Sequence, residues 1–220
     1  MTARAYFDQA ISAARQARDS VSEGFALLRK SFVALYGEKS AEAGLELTIE
    51  AERATDRFSD VIAGLATLHS AEANAMLGRR AECERLLGAA ESRFSRIRSD
   101  DPAIDLFSPT QLGRLAGSCY LFLNDAGRAE VVREETARGL QDRSKARSVV
   151  LGNLTLAFVR QGKVEAATAT LHQAIDLIEL NWGGGGVNIV FNAARELRAW
   201  SAVQMVRDVH DRLFALMTAA

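Results

Sequence analysis

The chain has 220 residues, 48% of them hydrophobic and 25% charged, with a formal net charge of −1. It is long enough to bury a core, and its near-neutral balance excludes a global field that would draw it onto nucleic acid. With only two prolines and an abundance of alanine, leucine, arginine and glutamate, helix is the expected state almost throughout. No stretch alternates apolar and polar residues in the manner of a strand. MTARAYFDQA, at the N-terminus, lacks an apolar run of signal-peptide length. The longest uncharged stretch, Leu180 to Ala194, is short and broken by four glycines, so no segment is expected to span a membrane. Cys83 and Cys119 are far apart, outside any Cys-x-x-Cys pair, and inside apolar helical patterns. They read as buried reduced thiols of a cytoplasmic protein.

In chain order, residues 3–17 predict a first helix with Tyr6, Ala10, Ala13 and Ala17 on one face. Ser20 and Glu23 read as a capping box opening a second helix that runs through Tyr36 and stops at Gly37. A third is expected from about Ser40 to Ala54, with Leu45, Leu47 and Ile49, and a fourth from about Ser59 to Leu77, ended by Gly78. Arg79 to Ile97 follows with an apolar stripe of Cys83, Leu86, Leu87, Ala90 and Phe94. Residues 99–109 hold both prolines and are the one break in the pattern, a linker between helix pairs at 1–98 and an array at 108–220, unless the whole is one continuous domain. Ser108, Pro109 and Gln111 read as a capped helix start. That helix runs to Asn124 and a shorter one follows from about Gly127 to Leu140.

Arg147 to Leu177 then reads as two helices folded back through Gln161-Gly162-Lys163. Leu151, Leu154 and Phe158 are spaced helically on the first, and Ala167, Leu171, Ala174 and Ile175 on the second. Asn181-Trp182 and four glycines form a loop before helices at about 187–198 and 201–217. Gly78, Asn124 and Gly162 each end a helix, and Cys83, Ala129 and Ala167 each follow five residues later at a small position. The small-large-small pattern of Ala157, Phe158, Gly162, Ala167, Leu171 and Ala174 resembles a tetratricopeptide repeat. The resemblance implies an all-α fold, a right-handed array of antiparallel helix pairs with about eleven helices (a tetratricopeptide-like α-solenoid).

From Ser108 onward, SPTQLGRLAGSCYLFLNDAGRAE, RSVVLGNLTLAFVRQGKVEAATATLHQAIDL and NWGGGGVNIVFNAARELRAWSAVQMVRDVHDRLFALM resemble the C-terminal halves of actinobacterial helix-turn-helix regulators of the xenobiotic-response-element type. In that family a degenerate tetratricopeptide array is thought to sense a ligand or partner. The first hundred residues carry no tri-helical DNA-binding unit, so the resemblance implies the sensor half alone, without direct nucleic-acid binding.

In stacked helix pairs the first helix of each lines the concave face, where extended peptides bind. Asn153 falls there, with Val149, Leu156 and Arg160, opposite Leu151, Leu154 and Phe158. An asparagine amide can both donate to and accept from a peptide backbone; the plainer alternative is a bond to a neighbouring helix. Asn188, Asn192 and Arg195 share one polar face, and the arginine would suit a carboxylate. Two asparagines in one helix cost about a kcal/mol against alanine. Arg114 and Arg147 would extend the groove, unless they are ordinary exposed arginines near helix starts. The glycine loop lacks the Lys-Ser/Thr of a phosphate-binding loop and reads as a connector, with Trp182 packed beside it.

His69, His172 and His210 lie in different helices. His69 and Glu72 share a face at i and i+3, but no second such motif completes a metal set. No nucleophile elbow, His-Glu-x-x-His or P-loop occurs, so no catalysis, cofactor or metal is expected. Val203, Val206, His210, Leu213 and Met217 form a final stripe that either caps the array or, through residues 201–217, joins a homodimer. The expected function is recognition of a peptide or protein segment in a regulatory role. A dimerising structural scaffold and a small-molecule-binding helical cavity stand as alternatives.

Overall fold

Three residues with left-handed backbone mark where the chain doubles back: Gly78 at φ 72°, Asn124 at φ 56° and Gly162 at φ 70°. Glycine takes this conformation without penalty and asparagine at little cost, and each ends a helix by it. Five residues after each, Cys83, Ala129 and Ala167 are fully buried. Nine residues after, Leu87 and Leu171 are buried as well, and between them in the alignment stands a buried arginine, Arg133. The computed structural model describes residues 2–142, 144–180 and 185–219, and within these it holds eleven α-helices and no strand. The chain forms two compact units, Met1–Leu115 and Ala116–Ala220.

In the first unit, α1 (Ala3–Ala17), α2 (Ser20–Phe32), α3 (Ala41–Thr55), α4 (Asp60–Met76) and α5 (Arg80–Phe94) follow one another. Each packs on the next, and α2 also touches α4. Gly24 allows the closest approach of α2 to α3: a Cβ there would fall 2.2 Å from Thr55 Cγ2 and 3.2 Å from the Ala51 carbonyl. Helix α4 is buried along its whole length from Val61 to Ala75, polar residues included. Helices α3 and α5 both lie against it.

Several local expectations are corrected. On α1 the Tyr6, Ala10, Ala13, Ala17 face is solvent, and Ile11 and Ala14 are the buried residues. The N-cap of α2 is Asp19, whose Oδ1 accepts from Ser22 N–H at 3.0 Å; Glu23 instead pairs with Arg15 at 2.6 Å. Gly37 does not stop α2. The helix widens into a π-helical turn, Val33–Gly37, closed by Glu38 N–H on the Val33 carbonyl at 2.9 Å. Residue 39, a lysine at φ 55°, makes the turn. The helix after Pro109 opens at Gln111, not at Ser108, because Ser108 accepts the Gln111 N–H in a tight turn first.

Residues 99–109 pack on the first unit. Asp101 accepts from Ser59 Oγ at 2.8 Å, from Val61 N–H at 3.2 Å and from Ala103 N–H at 2.9 Å, which fastens the segment to the N-terminus of α4. Phe107 lies on Phe94 with ring centroids 5.4 Å apart. The boundary between the units falls within α6 (Gln111–Phe122).

The second unit continues with α7 (Ala126–Arg138), α8 (Lys145–Arg160), α9 (Val164–Leu180), α10 (Gly185–Leu197) and α11 (Gln204–Ala219). Helix α8 packs on α7, α9 and α10, and α9 packs on α10 and α11. Leu154, Phe158, Leu171, Ile175, Val190, Leu197, Val206 and Leu213 belong to one core. Of the Asn181–Gly186 loop, residues 181–184 lie outside the described residues, Trp182 among them, whereas Gly185 opens α10. No described helix is long and apolar enough to cross a membrane.

Candidate functional site

Direct packing of α8 on α10 sets the geometry of the candidate site. The two helices meet at Gly152, where a Cβ would come 2.7 Å from Ile189 Cγ2 and 3.5 Å from Val190 N. Asn153, next to this contact on α8, is half-buried; Asn188 and Asn192 on α10 are exposed. Among the described residues, no side-chain hydrogen bond reaches Asn153 or Asn188. Asn192 Oδ1 accepts from Arg195 Nη2, on the same face. Two adjacent helices therefore present three asparagines, two of them with their full hydrogen-bonding capacity open.

The arginines divide differently. Arg147 Nη1 donates to the Ala137 carbonyl at 2.6 Å and the Leu140 carbonyl at 3.2 Å, so it caps the C-terminus of α7. Arg160 donates to the Leu121 carbonyl at 2.8 Å and pairs with Glu196 at 3.3 Å, joining α8 to α6 and α10. Arg195 is exposed and borders a groove against α11. Arg114 belongs to the first unit, and burial pushes its guanidinium below the ordinary arginine value. Leu156, expected on the ligand-facing side, is 5% exposed and part of the core. The stripe on α8 is broken there because α8 is covered on three sides, leaving only Val149, Asn153 and the helix ends accessible.

Between α10 and α11 lies an open groove of about 390 Å³ lined by Phe191, Leu213, Phe214 and Met217, with Arg195, Arg198 and Asp211 among its polar residues. The final stripe splits here: Val206 and Leu213 are buried in the unit's own core, while Met217 is 59% exposed. His210 sits between them, its Nε2 2.8 Å from the Ala194 carbonyl.

Sequence reading missed two arrangements. In the first unit, Glu72 Oε2 accepts from the Tyr36 hydroxyl and lies 3.1 Å from His69 Nδ1; His69 and Glu72 are each 4% exposed. The Phe32 ring covers the imidazole with centroids 4.4 Å apart. The His69–Glu72 spacing was visible, but only the π-helical turn swings Tyr36 onto the carboxylate. The cluster holds a buried acid with polar partners, which is what burial of a carboxylate demands. In the second unit, Arg133 Nη2 donates to Ser118 Oγ at 2.6 Å and the side chain fills the space beside Gly117. Aligning the turns would have flagged it, because Leu87 and Leu171 stand at the matching positions. No protein-family model matches this chain, and no curated protein matches it in sequence.

Proposed function

We propose that this chain is a non-catalytic, tetratricopeptide-like recognition module that holds a peptide or protein segment across α8 and α10. The observation that carries the reading is the open pair Asn153 and Asn188 on adjacent packed helices, with Asn192 and Arg195 beside them. Asparagine is a poor helix former. Asn153 and Asn188 receive no internal hydrogen bond in return among the described residues, whereas the arginines nearby are consumed by caps and ion pairs. Side-chain amides in such positions can grip an extended backbone through paired donors and acceptors.

The regulatory role follows the resemblance to sensor halves of helix-turn-helix regulators, in the cytoplasm, with the bound segment as the signal. The test is selection from a displayed random-peptide library, followed by fluorescence anisotropy with the enriched sequence. The expected result is binding that Asn153→Ala and Asn188→Ala each weaken about tenfold, in line with one or two lost hydrogen bonds. Enrichment of no sequence, or of one indifferent to both variants, would sink the reading.

A further inference from the structure

The two sides of α11 are treated differently by the unit that carries them. Toward α9, Arg212 is fully engaged: it meets Asp176 at 2.5 Å, Glu179 at 2.9 Å and the His172 carbonyl at 3.3 Å. Toward the groove with α10 the charges are left over. Among the described residues, the side chains of Arg198 and Asp211 have neither an ion-pair nor a hydrogen-bond partner, and the Arg195 guanidinium meets only the Asn192 amide. These charges flank Phe214 and Met217, 69% and 59% exposed, over a floor of Phe191 and Leu213. Two large apolar side chains standing in water beside a 390 Å³ groove make an unfinished interface.

The geometry points to a second copy of this chain as the occupant, docked about a two-fold axis so that α11 of each copy lies along α10 of the other. The argument is the distribution of charge. The wall formed by α10 and the turn after it is basic, through Arg195 and Arg198, and the α11 wall contributes Asp211; they do not neutralise one another within the chain. An acidic peptide laid in the groove would satisfy the arginines and be repelled by Asp211, and a basic peptide would meet the reverse. A two-fold operation exchanges the walls, so that Arg198 of each copy faces Asp211 of the other, and both contacts form twice. Phe214 and Met217 of each copy then enter the other's groove, which gives the contact an apolar centre and a charged rim. This inference does not depend on peptide binding at Asn153 and Asn188.

Sedimentation velocity of the full chain across the micromolar range tests it. The wild type should approach twice the chain mass of 23.9 kDa. Arg198→Glu and Asp211→Arg each place like charges at both symmetric contacts and should weaken association by roughly tenfold or more. The double variant exchanges the two signs and should recover association to within about threefold of wild type. Both side chains are exposed, so the variants keep their fold, checked by helical circular dichroism; Phe214→Ser supplies an independent apolar disruption. A wild type that stays monomeric overturns the proposal. So does association indifferent to both single reversals, or a double variant no better than either single one.

Discussion

Gly152→Ala is the sharpest test of how the second unit is built. The added methyl would lie 2.7 Å from Ile189 Cγ2, and 3.5 Å from both Ile189 Cβ and Val190 N. Ordinary carbon–carbon contact is about 3.5–4.0 Å, so roughly 1 Å of separation must be found. Ile189 is β-branched on a helix and cannot swing that methyl away, so the helices themselves must part. Overpacking of this kind costs about 2–3 kcal/mol, against which alanine gains about 1 kcal/mol of helix propensity. The expected net loss of about 1–2 kcal/mol corresponds to a Tm drop of about 2–8 °C for a chain of this length. Gly88→Ala is the control: it lies on α5, where an added Cβ meets nothing within 4 Å. There the propensity term acts alone and should stabilise by about 0.5–1 kcal/mol. Urea denaturation followed by circular dichroism compares the two. Opposite signs support the close α8–α10 contact. If Gly152→Ala stabilises as much as Gly88→Ala, the contact is not what holds α10 in place, and the site built on it fails too. Adding Ile189→Ala should recover part of the loss, a coupling a double-mutant cycle would measure.

The Asp101 anchor should be among the costliest polar positions in the first unit. Asp101→Ala removes the acceptor for Ser59 Oγ and two backbone N–H groups, and a loss of about 2–3 kcal/mol is expected by chemical denaturation. Arg147→Ala should lower stability by about 1–2 kcal/mol through the freed α7 carbonyls, whereas Asn153→Ala should change it by less than about 0.5 kcal/mol. If both destabilise equally, Asn153 is a structural residue. For Glu130, burial alone would raise the carboxyl, but hydrogen bonds from Lys163 and Gln161 outweigh it and hold its pKa below the ordinary 4.5. A carboxyl lowered on folding contributes stability above its unfolded value and loses it as pH falls through the folded one. Denaturation at pH values below 4.5 should therefore show a shallower acid loss in Glu130→Gln than in wild type; identical slopes would refute the pairing.

Helix content, most helix boundaries and the turns at Gly78, Asn124 and Gly162 are written locally. They depend on propensity, on residues that tolerate left-handed backbone, and on caps such as Ser40 and Ser59, whose side chains accept the N–H groups three residues on. The burial of Cys83, Ala129 and Ala167 was legible for the same reason, since their spacing from the turn places them on the packed face. Among the candidate site residues, sequence alone picked out Asn153, Asn188 and Asn192 as asparagines inside helices, and only the structure showed that Asn192 is bonded to Arg195 while the other two are open. Sequence could not separate them from Arg147 and Arg160. An arginine's reach is long, and whether its guanidinium caps a neighbouring helix or faces water depends on carbonyls 10 and 39 residues away. Tertiary structure also decided that Leu156 is core, that Tyr36 turns onto Glu72, and that Phe214 and Met217 stay exposed while Leu213 is buried. Hydrophobic spacing marks a stripe on a helix, but the width of that stripe is set by how many neighbours the helix has. Helix α8 has three and is covered almost throughout, while α11 keeps its groove-side charges and two large apolar side chains in water.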